Sequence, residues 1–145
     1  MVGLMKKGII NISLMVFGII IIFIFTYVYI IYFQVANISK NIKSELYYIL
    51  MECKLELNEE DLAYANFKMD KTKIESRIYK WAENAKKAQI NVKKIEVKEL
   101  LTNIMQDRVT LKVKLKITFS PIIKIRDKLS LYIQEEITLK LLEYN

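Results

Sequence analysis

The chain has 145 residues, which allows one small domain besides any N-terminal segment. Histidine is absent and Cys53 is the only cysteine, so the sequence excludes a His/Cys zinc cluster, an imidazole base beside a nucleophile and an intramolecular disulfide. The net charge of +7 arises from lysines interspersed with acidic residues, which is typical of a solvated surface, and we predict no nucleic-acid partner.

A transmembrane helix is predicted near the N-terminus. No charged residue occurs between Gly8 and Ser39, and the apolar part, residues 9–33, exceeds the roughly 20 residues that cross the hydrocarbon core. A cleavable secretory signal is the alternative, but its apolar region is normally about 7–15 residues and ends at a small-residue site. Tyrosines gather at the far end, as they do at membrane interfaces: Tyr27, Tyr29 and Tyr32.

The charges that flank this segment predict its orientation. Lys6 and Lys7 lie on the short leading side with no acid, whereas Lys43 on the trailing side is soon followed by Glu45. The positive-inside rule places residues 1–8 in the cytoplasm as a short leader and the rest of the chain outside. We therefore predict a single-pass protein of the cytoplasmic membrane.

Helical spacing continues beyond the membrane. Over residues 34–57, apolar residues recur at i+3 and i+4 steps, which predicts a stalk helix with one buried stripe. Cys53 falls on this stripe and is expected to be a small buried hydrophobe. The stripe consists of Ile38, Ile42, Leu46, Ile49, Leu50, Cys53 and Leu57. Residues 58–145 are predicted to form a small extracytoplasmic α+β domain, which begins with a connection over residues 58–70.

A second helix has a recognisable start. Thr72 and Glu75 have the spacing of a capping box, in which the Thr side chain caps the helix and the Glu side chain reaches back. One apolar face follows, so Trp81 is expected to belong to the core. The face consists of Ile74, Ile78, Trp81, Ala82 and Ala85.

Three strands are predicted to follow. The first, from Ile90 to Leu100, alternates imperfectly because Lys93-Lys94 breaks the phase in the manner of a bulge. After a turn between residues 102 and 107, Arg108 to Phe119 alternates strictly between polar and apolar residues. The third runs from Leu129 to Leu141, with Glu135 interrupting its apolar face. Two helices followed by three strands predict an α+β fold with a three-stranded antiparallel meander.

No catalytic, cofactor-binding or metal-binding residues are predicted. The acidic run at residues 59–61 does not match a calcium loop and is expected to be a solvated turn. Glu135 and Glu136 are adjacent on one strand, so their carboxylates point to opposite faces and do not form an acid/base pair. We therefore predict that the protein is not an enzyme and needs no cofactor.

Two regions resemble a known bacterial family. The run Lys6-Lys7-Gly8, followed at once by a long apolar helix, resembles the processing site of type IV-type prepilins, which a prepilin peptidase cuts after the glycine. The C-terminal half resembles the TadE-like minor pilins, or pseudopilins, of tight-adherence (Flp-type) systems. In those proteins a stalk helix precedes alternating strands, and a proline follows soon after an aromatic residue, here in Phe119-Ser120-Pro121.

The resemblance implies a structural role. It implies processing at Lys6, Lys7, Gly8 and Ile9, with a prepilin peptidase and other membrane-anchored subunits as partners. Pilins of this kind usually carry a glutamate five residues after the glycine, where this chain has Ser13. The leading hypothesis is a pseudopilin-like component of a pilus or secretion apparatus. The alternatives are a ring- or channel-forming subunit of a sporulation or conjugation complex, and an extracytoplasmic ligand-binding module.

Overall fold

The computed structural model describes residues 2–55, 70–84, 91–105, 107–124 and 126–141, with side chains in the first stretch from Gly8 onward. The chain divides into two compact units, Met1–Ala36 and Asn37–Asn145. The predicted α+β fold is confirmed: a long N-terminal helix is followed by a second helix and a three-stranded antiparallel sheet.

Helix α1 spans Val2–Leu55 without interruption. It contains no proline, and apolar residues fill its first half, so nothing in the local sequence ends the helix between the two units. From Asn37 onward it carries the predicted stripe, which is buried at Ile38, Ile42, Leu46, Leu50 and Cys53. Residues 56 and 57, which were predicted to complete the stalk, lie outside the described part of the chain.

Helix α2 spans Lys71–Asn84, and its predicted start at Thr72 is wrong. Asp70 caps the helix instead: its carboxylate accepts hydrogen bonds from the N–H of Thr72, at 2.9 Å, and from the Thr72 hydroxyl. The Asp70 carbonyl accepts the N–H groups of Lys73 and Ile74, at 3.1 and 3.2 Å. Asp70, two residues before Thr72, therefore accepts the N–H groups of Thr72, Lys73 and Ile74, and Thr72 becomes part of the helix.

The sheet has the order β1-β2-β3, with strands Val92–Ile104, Arg108–Phe119 and Leu129–Lys140. Strand β2 is central and has the predicted bounds. Its six inward-facing side chains are at most 1% exposed: Val109, Leu111, Val113, Leu115, Ile117 and Phe119. Helix α2 packs on β1, and the part of α1 that begins at Asn37 reaches β3, so both helices cover one face of the sheet.

Strand β1 is irregular in two places. The register with β2 shifts between Val92 and Lys94, which confirms the predicted bulge, and shifts again between Val97 and Glu99, which was not predicted. The strand begins two residues after Ile90, which lies outside the described residues, and it continues past Leu100 to Ile104. The turn is therefore shorter than predicted, and Met105 closes it by donating its N–H to the Arg108 carbonyl at 2.8 Å.

Candidate functional site

The apolar first half of α1 is the first candidate site. Among the described side chains of Met1–Ala36, large apolar groups are exposed along the helix, including Ile12 at 65% and Phe23 at 72%. The helix has a mean hydropathy of 2.8 over its most apolar window, and none of that window is buried within the protein. Such a surface is unfavourable in water and favourable in hydrocarbon. One helix is thus long and apolar enough to cross a membrane, which fits a single-pass membrane protein.

The polar group at Thr26 is satisfied within the helix itself. Its hydroxyl donates to the Ile22 carbonyl, one turn earlier, at 2.8 Å. A hydroxyl in hydrocarbon has no water to bond, and back-bonding to the preceding turn removes that cost. This threonine is therefore compatible with a position inside a bilayer.

The predicted processing site lies in the first turns of α1. Gly8 and Ile9 are helical and exposed, whereas the side chains of Lys6 and Lys7 lie outside the described residues. A Cβ atom built on Gly8 would meet no other atom within 4 Å, and the same holds for Gly18. Packing within this chain therefore does not require glycine at position 8, although glycine weakens a helix by about 1 kcal/mol relative to alanine.

Ser13, which stands five residues after Gly8, is also exposed on α1. The sequence between Gly8 and Ser39 contains no acid, so a carboxylate is missing from the whole apolar segment. A neighbouring subunit's amino terminus would find no opposite charge in this segment.

Glu135 and Glu136 point to opposite faces of β3, as predicted. Glu135 faces α1: its Oε1 accepts a hydrogen bond from Ser39 Oγ at 2.8 Å, and its Oε2 lies 3.9 Å from Lys43 Nζ. Glu136 faces outward and pairs with Lys112 at 3.3 Å. Each carboxylate therefore has its own partner on its own face of the strand. The partners of Glu135 were not predicted, although Ser39 and Lys43 stand four residues apart and so share a helix face.

The two helices are joined by polar contacts. Trp81 Nε1 donates to Glu45 Oε2 at 2.5 Å, and Arg77 Nη1 lies 3.5 Å from Glu52 Oε2. Trp81 was predicted to belong to the core but is only half-buried, and its N–H has a polar partner at the helix interface. Glu45 precedes Glu52 in α1, whereas the partner of Glu45 follows the partner of Glu52 in α2. The two helices therefore run antiparallel.

An open groove of about 570 Å³ lies beside these contacts and is lined by both helices. The groove is lined by both charged and apolar side chains. Two of the charged residues, Arg77 and Glu52, form an ion pair with each other. The lining residues are Ile49, Glu52, Leu55, Arg77, Lys80, Trp81 and Asn84.

The outward face of the sheet is covered by paired polar side chains. Thr110 lies 3.3 Å from Thr138, and Lys114 lies 3.4 Å from Glu99. Hydrogen bonds from the ammonium groups of Lys94 and then Lys98 hold the pKa of the Glu96 carboxyl at about 2. Positively and negatively charged side chains are interspersed on this face, in agreement with the predicted solvated surface.

The remaining candidates are the cysteine and the acidic run. Cys53 is buried, as predicted. The acidic run at residues 59–61 lies outside the described residues. Within the described ranges, no group of three or more His, Cys, Asp or Glu side chains could hold a metal ion.

Comparisons of the chain with protein-family models, with curated proteins and with solved structures find no match. The resemblance to TadE-like pseudopilins therefore stays a prediction based on the residues that carry it.

Proposed function

We propose that this protein is a membrane-anchored, non-catalytic, pseudopilin-like structural component of a bacterial pilus or secretion apparatus. The observation that carries the proposal is the continuity of α1. A single helix begins as an exposed apolar segment and ends as a buried stripe of the α+β unit, from Ile38 to Cys53. The anchor and the core of the domain are thus built from one element, as in the pilin-type subunits that the sequence resembles.

The polar contacts support a structural role. In the part of the chain that the structure describes, two ion pairs link a helix to another element: Glu52 with Arg77 joins the helices, and Glu135 with Lys43 joins helix to sheet. Carboxylates engaged in this way stabilise a scaffold and are not poised to exchange protons with a substrate.

The proposed location is the cytoplasmic membrane, with the N-terminus inside and the α+β unit outside. Lys6 and Lys7 precede the apolar segment without a compensating acid, which favours a cytoplasmic N-terminus. A pilus or secretion apparatus would then contact the α+β unit on the outer side of the membrane.

Processing by a prepilin peptidase is part of the proposal. Among the described residues, no atom lies within 4 Å of a Cβ built on Gly8, so packing does not explain the glycine, and this supports a role in recognition by a partner enzyme. Cleavage after Gly8 would remove Lys6 and Lys7, so that extracting the helix no longer moves two ammonium groups through hydrocarbon. With Ser13 in place of a glutamate, the new amino terminus lacks a carboxylate partner, so we expect a minor component and not an abundant filament subunit.

Mass spectrometry of the N-terminal peptide from native membranes tests the proposal. We expect mature protein that begins at Ile9. An N-terminus that retains Lys6 and Lys7 would contradict the pseudopilin function. It would favour the alternative of a permanently anchored ring- or channel-forming subunit, whose leader has no reason to be removed.

A further inference from the structure

Helix α1 and strand β3 run in the same direction within the α+β unit. Ser39 Oγ donates to Glu135 Oε1 at 2.8 Å, and Lys54 Nζ donates to the Lys140 carbonyl at 3.3 Å. Later residues of α1 therefore lie beside later residues of β3. The start of β3, at Leu129, points toward the end of the unit at which α1 enters it.

The loop between β2 and β3 lies at that same end. Strand β2 is antiparallel to β3, and its last residue, Phe119, pairs with Leu129. The Ser120 hydroxyl donates to the Asp127 carbonyl at 3.3 Å and so joins the two sides of the loop at its base. The turn between β1 and β2, which contains Met105, lies at the opposite end of the sheet.

Only a short piece of chain separates the apolar segment from the first contact with β3. Phe33 ends the apolar segment, and Ser39, six residues later, bonds to Glu135. Six residues of helix span about 9 Å. The six strand residues from Glu135 back to Leu129 span about 20 Å. The start of β3 and the loop before it are therefore within reach of the surface of the membrane that the apolar segment enters.

The β2–β3 loop exposes large apolar side chains. Ile122 is 62% exposed and Ile123 is 38% exposed. Pro121, directly before them, is buried, so the loop is held against the unit at its base. Exposed isoleucines are unfavourable in water and favourable at the boundary between lipid headgroups and acyl chains.

Cations accompany these isoleucines. Asp127 is the only acid among residues 120–128, so the loop has a net positive charge. Three cations of the loop are exposed: Lys124, Arg126 and Lys128. In the described part of the chain none of these three forms an ion pair, whereas Lys112 and Lys114 on the sheet both pair with glutamates.

We propose that the β2–β3 loop, residues 120–124 and 126–128, is a membrane-contact surface that binds anionic phospholipid. Ile122 and Ile123 enter the interfacial layer of the bilayer. The three cations stay in the hydrated headgroup layer, where they remain accessible to water and pair with lipid phosphates. The inference rests on the proposed membrane anchor, but not on the pseudopilin role, on processing or on which side of the membrane the unit occupies.

The tether makes a weak contact sufficient. Each cation near an anionic membrane surface favours the bound state about fivefold. Because α1 keeps the loop close to the bilayer, the loop experiences a high effective concentration of lipid and needs little intrinsic affinity. A small patch of two isoleucines and three cations is therefore enough to keep this end of the sheet on the membrane.

The proposed surface consists of described residues at one end of the unit. Residues 56–69 and 142–145, which lie outside the described part of the chain, adjoin the end of α1, the start of α2 and the end of β3. Those three points are at the opposite end of the unit. Residues 85–90 and residue 125 also lie outside the described part, and the proposed surface does not include them.

Quenching by spin-labelled lipids tests the contact. In a Cys53→Ala background, an environment-sensitive fluorophore on Ile122→Cys reports entry of the loop into the bilayer. The full-length protein is reconstituted in phosphatidylcholine vesicles with and without phosphatidylglycerol. Met105→Cys is the matched control, since Met105 is an exposed apolar residue on the order of 40 Å away, at the other end of β2. We expect nitroxide lipids to quench the label at position 122 but not at position 105, and more strongly with phosphatidylglycerol.

Removal of one charge tests the role of the cations. Adding Lys128→Gln should lower the ratio of quenched to unquenched label at position 122 about fivefold in phosphatidylglycerol vesicles. Lys140→Gln is the matched control, because Lys140 is exposed at the opposite end of β3 and its loss changes the net charge equally. Equal effects of the two substitutions, or quenching that does not depend on phosphatidylglycerol, would overturn the binding of anionic lipid.

Flotation of the same vesicles separates this inference from the membrane anchor on which it rests. Protein that does not float with the vesicles would refute both. Protein that floats while the label at position 122 is quenched as weakly as the label at position 105 would refute the lipid contact alone. A protein would then be the occupant of this loop.

Discussion

Ser39 on α1 and Glu135 on β3 are 96 residues apart in the chain and are joined by a hydrogen bond of 2.8 Å. Glu135 lies on the apolar face of its strand, and its side chain is only 15% exposed. Its carboxylate would be costly there without a partner. The serine hydroxyl and the more distant Lys43 ammonium allow a charged residue to occupy a position that the strand pattern reserves for an apolar one.

This contact predicts that Ser39→Ala destabilises the α+β unit by about 1–2 kcal/mol, because a part-buried carboxylate loses its hydrogen-bond donor. Ser44→Ala is the matched control, since Ser44 is exposed on the same helix and should change stability by less than about 0.5 kcal/mol. The fluorescence of Trp81, the only tryptophan, reports unfolding of the full chain in detergent. Equal effects of the two substitutions would show that the hydrogen bond contributes no net stability.

The central strand provides a second test. Leu115 is 0% exposed between the sheet and the helices, whereas Lys114 faces outward near Glu99. Leu115→Asp should therefore cost several kcal/mol and prevent stable folding, because it buries an unpaired charge. Lys114→Gln removes one exposed ion pair and should cost less than about 1 kcal/mol. Protease resistance of the membrane-bound protein distinguishes the two outcomes, and similar resistance of both variants would contradict the burial of this face.

How far the sequence predicts this fold depends on where the deciding contacts lie. Strand β2 was predicted at its observed bounds, because apolar and polar residues must alternate along the whole length of a central strand that has one covered face. The second bulge of β1, near Lys98, was missed because its position depends on the register with β2 and not on the local pattern. Glu135 looked like an interruption because its partners belong to a helix distant in sequence.

The start of α2 was wrong for a different reason. Asp70 and Thr72 are both good N-cap residues, and local spacing does not decide between them. The proposed membrane anchor is inferred from the composition of residues 9–33, and the proposed processing from Lys6, Lys7, Gly8 and Ile9. The fold supports both proposals mainly through the continuity of α1.

The Asp70 cap predicts a pH dependence of stability. Hydrogen bonds from the Thr72 side chain, and then from its backbone N–H, lower the pKa of the Asp70 carboxyl below its ordinary value of 3.8. A carboxyl whose pKa is lower in the folded state stabilises the protein fully above its unfolded pKa. That contribution is lost as the pH falls from the ordinary value through the lower folded one.

Asp70→Ala should therefore lower the melting temperature at neutral pH, and the difference from wild type should shrink on acidification through this window. Asp70→Asn retains an oxygen acceptor and should lose less than the alanine variant at neutral pH. Melting curves of the full chain between neutral and strongly acidic pH provide the measurement. A difference that stays constant with pH would mean that the ionised form of Asp70 is not what caps the helix.

The proposed orientation predicts the accessibility of the loop between β2 and β3. Lys124 is exposed there, so Lys124→Cys in a Cys53→Ala background should react with a membrane-impermeant maleimide in intact protoplasts. The control is a cysteine introduced at Met5, before the apolar segment, in a Gly8→Ala background that is expected to keep the leader attached. This cysteine should react only after lysis. The reverse pattern of labelling would place the α+β unit in the cytoplasm and remove the proposed contact with an external apparatus.

Gly8 can act by being recognised by a prepilin peptidase or by weakening the helix, and substitutions of Gly8 and Gly18 distinguish these two effects. Gly8 and Gly18 both lie in α1, and a Cβ atom at either position would meet no atom within 4 Å. Alanine at either site should therefore leave the fold intact and strengthen the helix slightly. If a prepilin peptidase recognises Gly8, then Gly8→Ala should leave the leader attached, while Gly18→Ala should still be cut to begin at Ile9. Mass spectrometry of the N-terminal peptides decides between these outcomes. Normal cleavage of Gly8→Ala would show that the glycine is not read by the enzyme, and loss of cleavage in both variants would point to the helix itself.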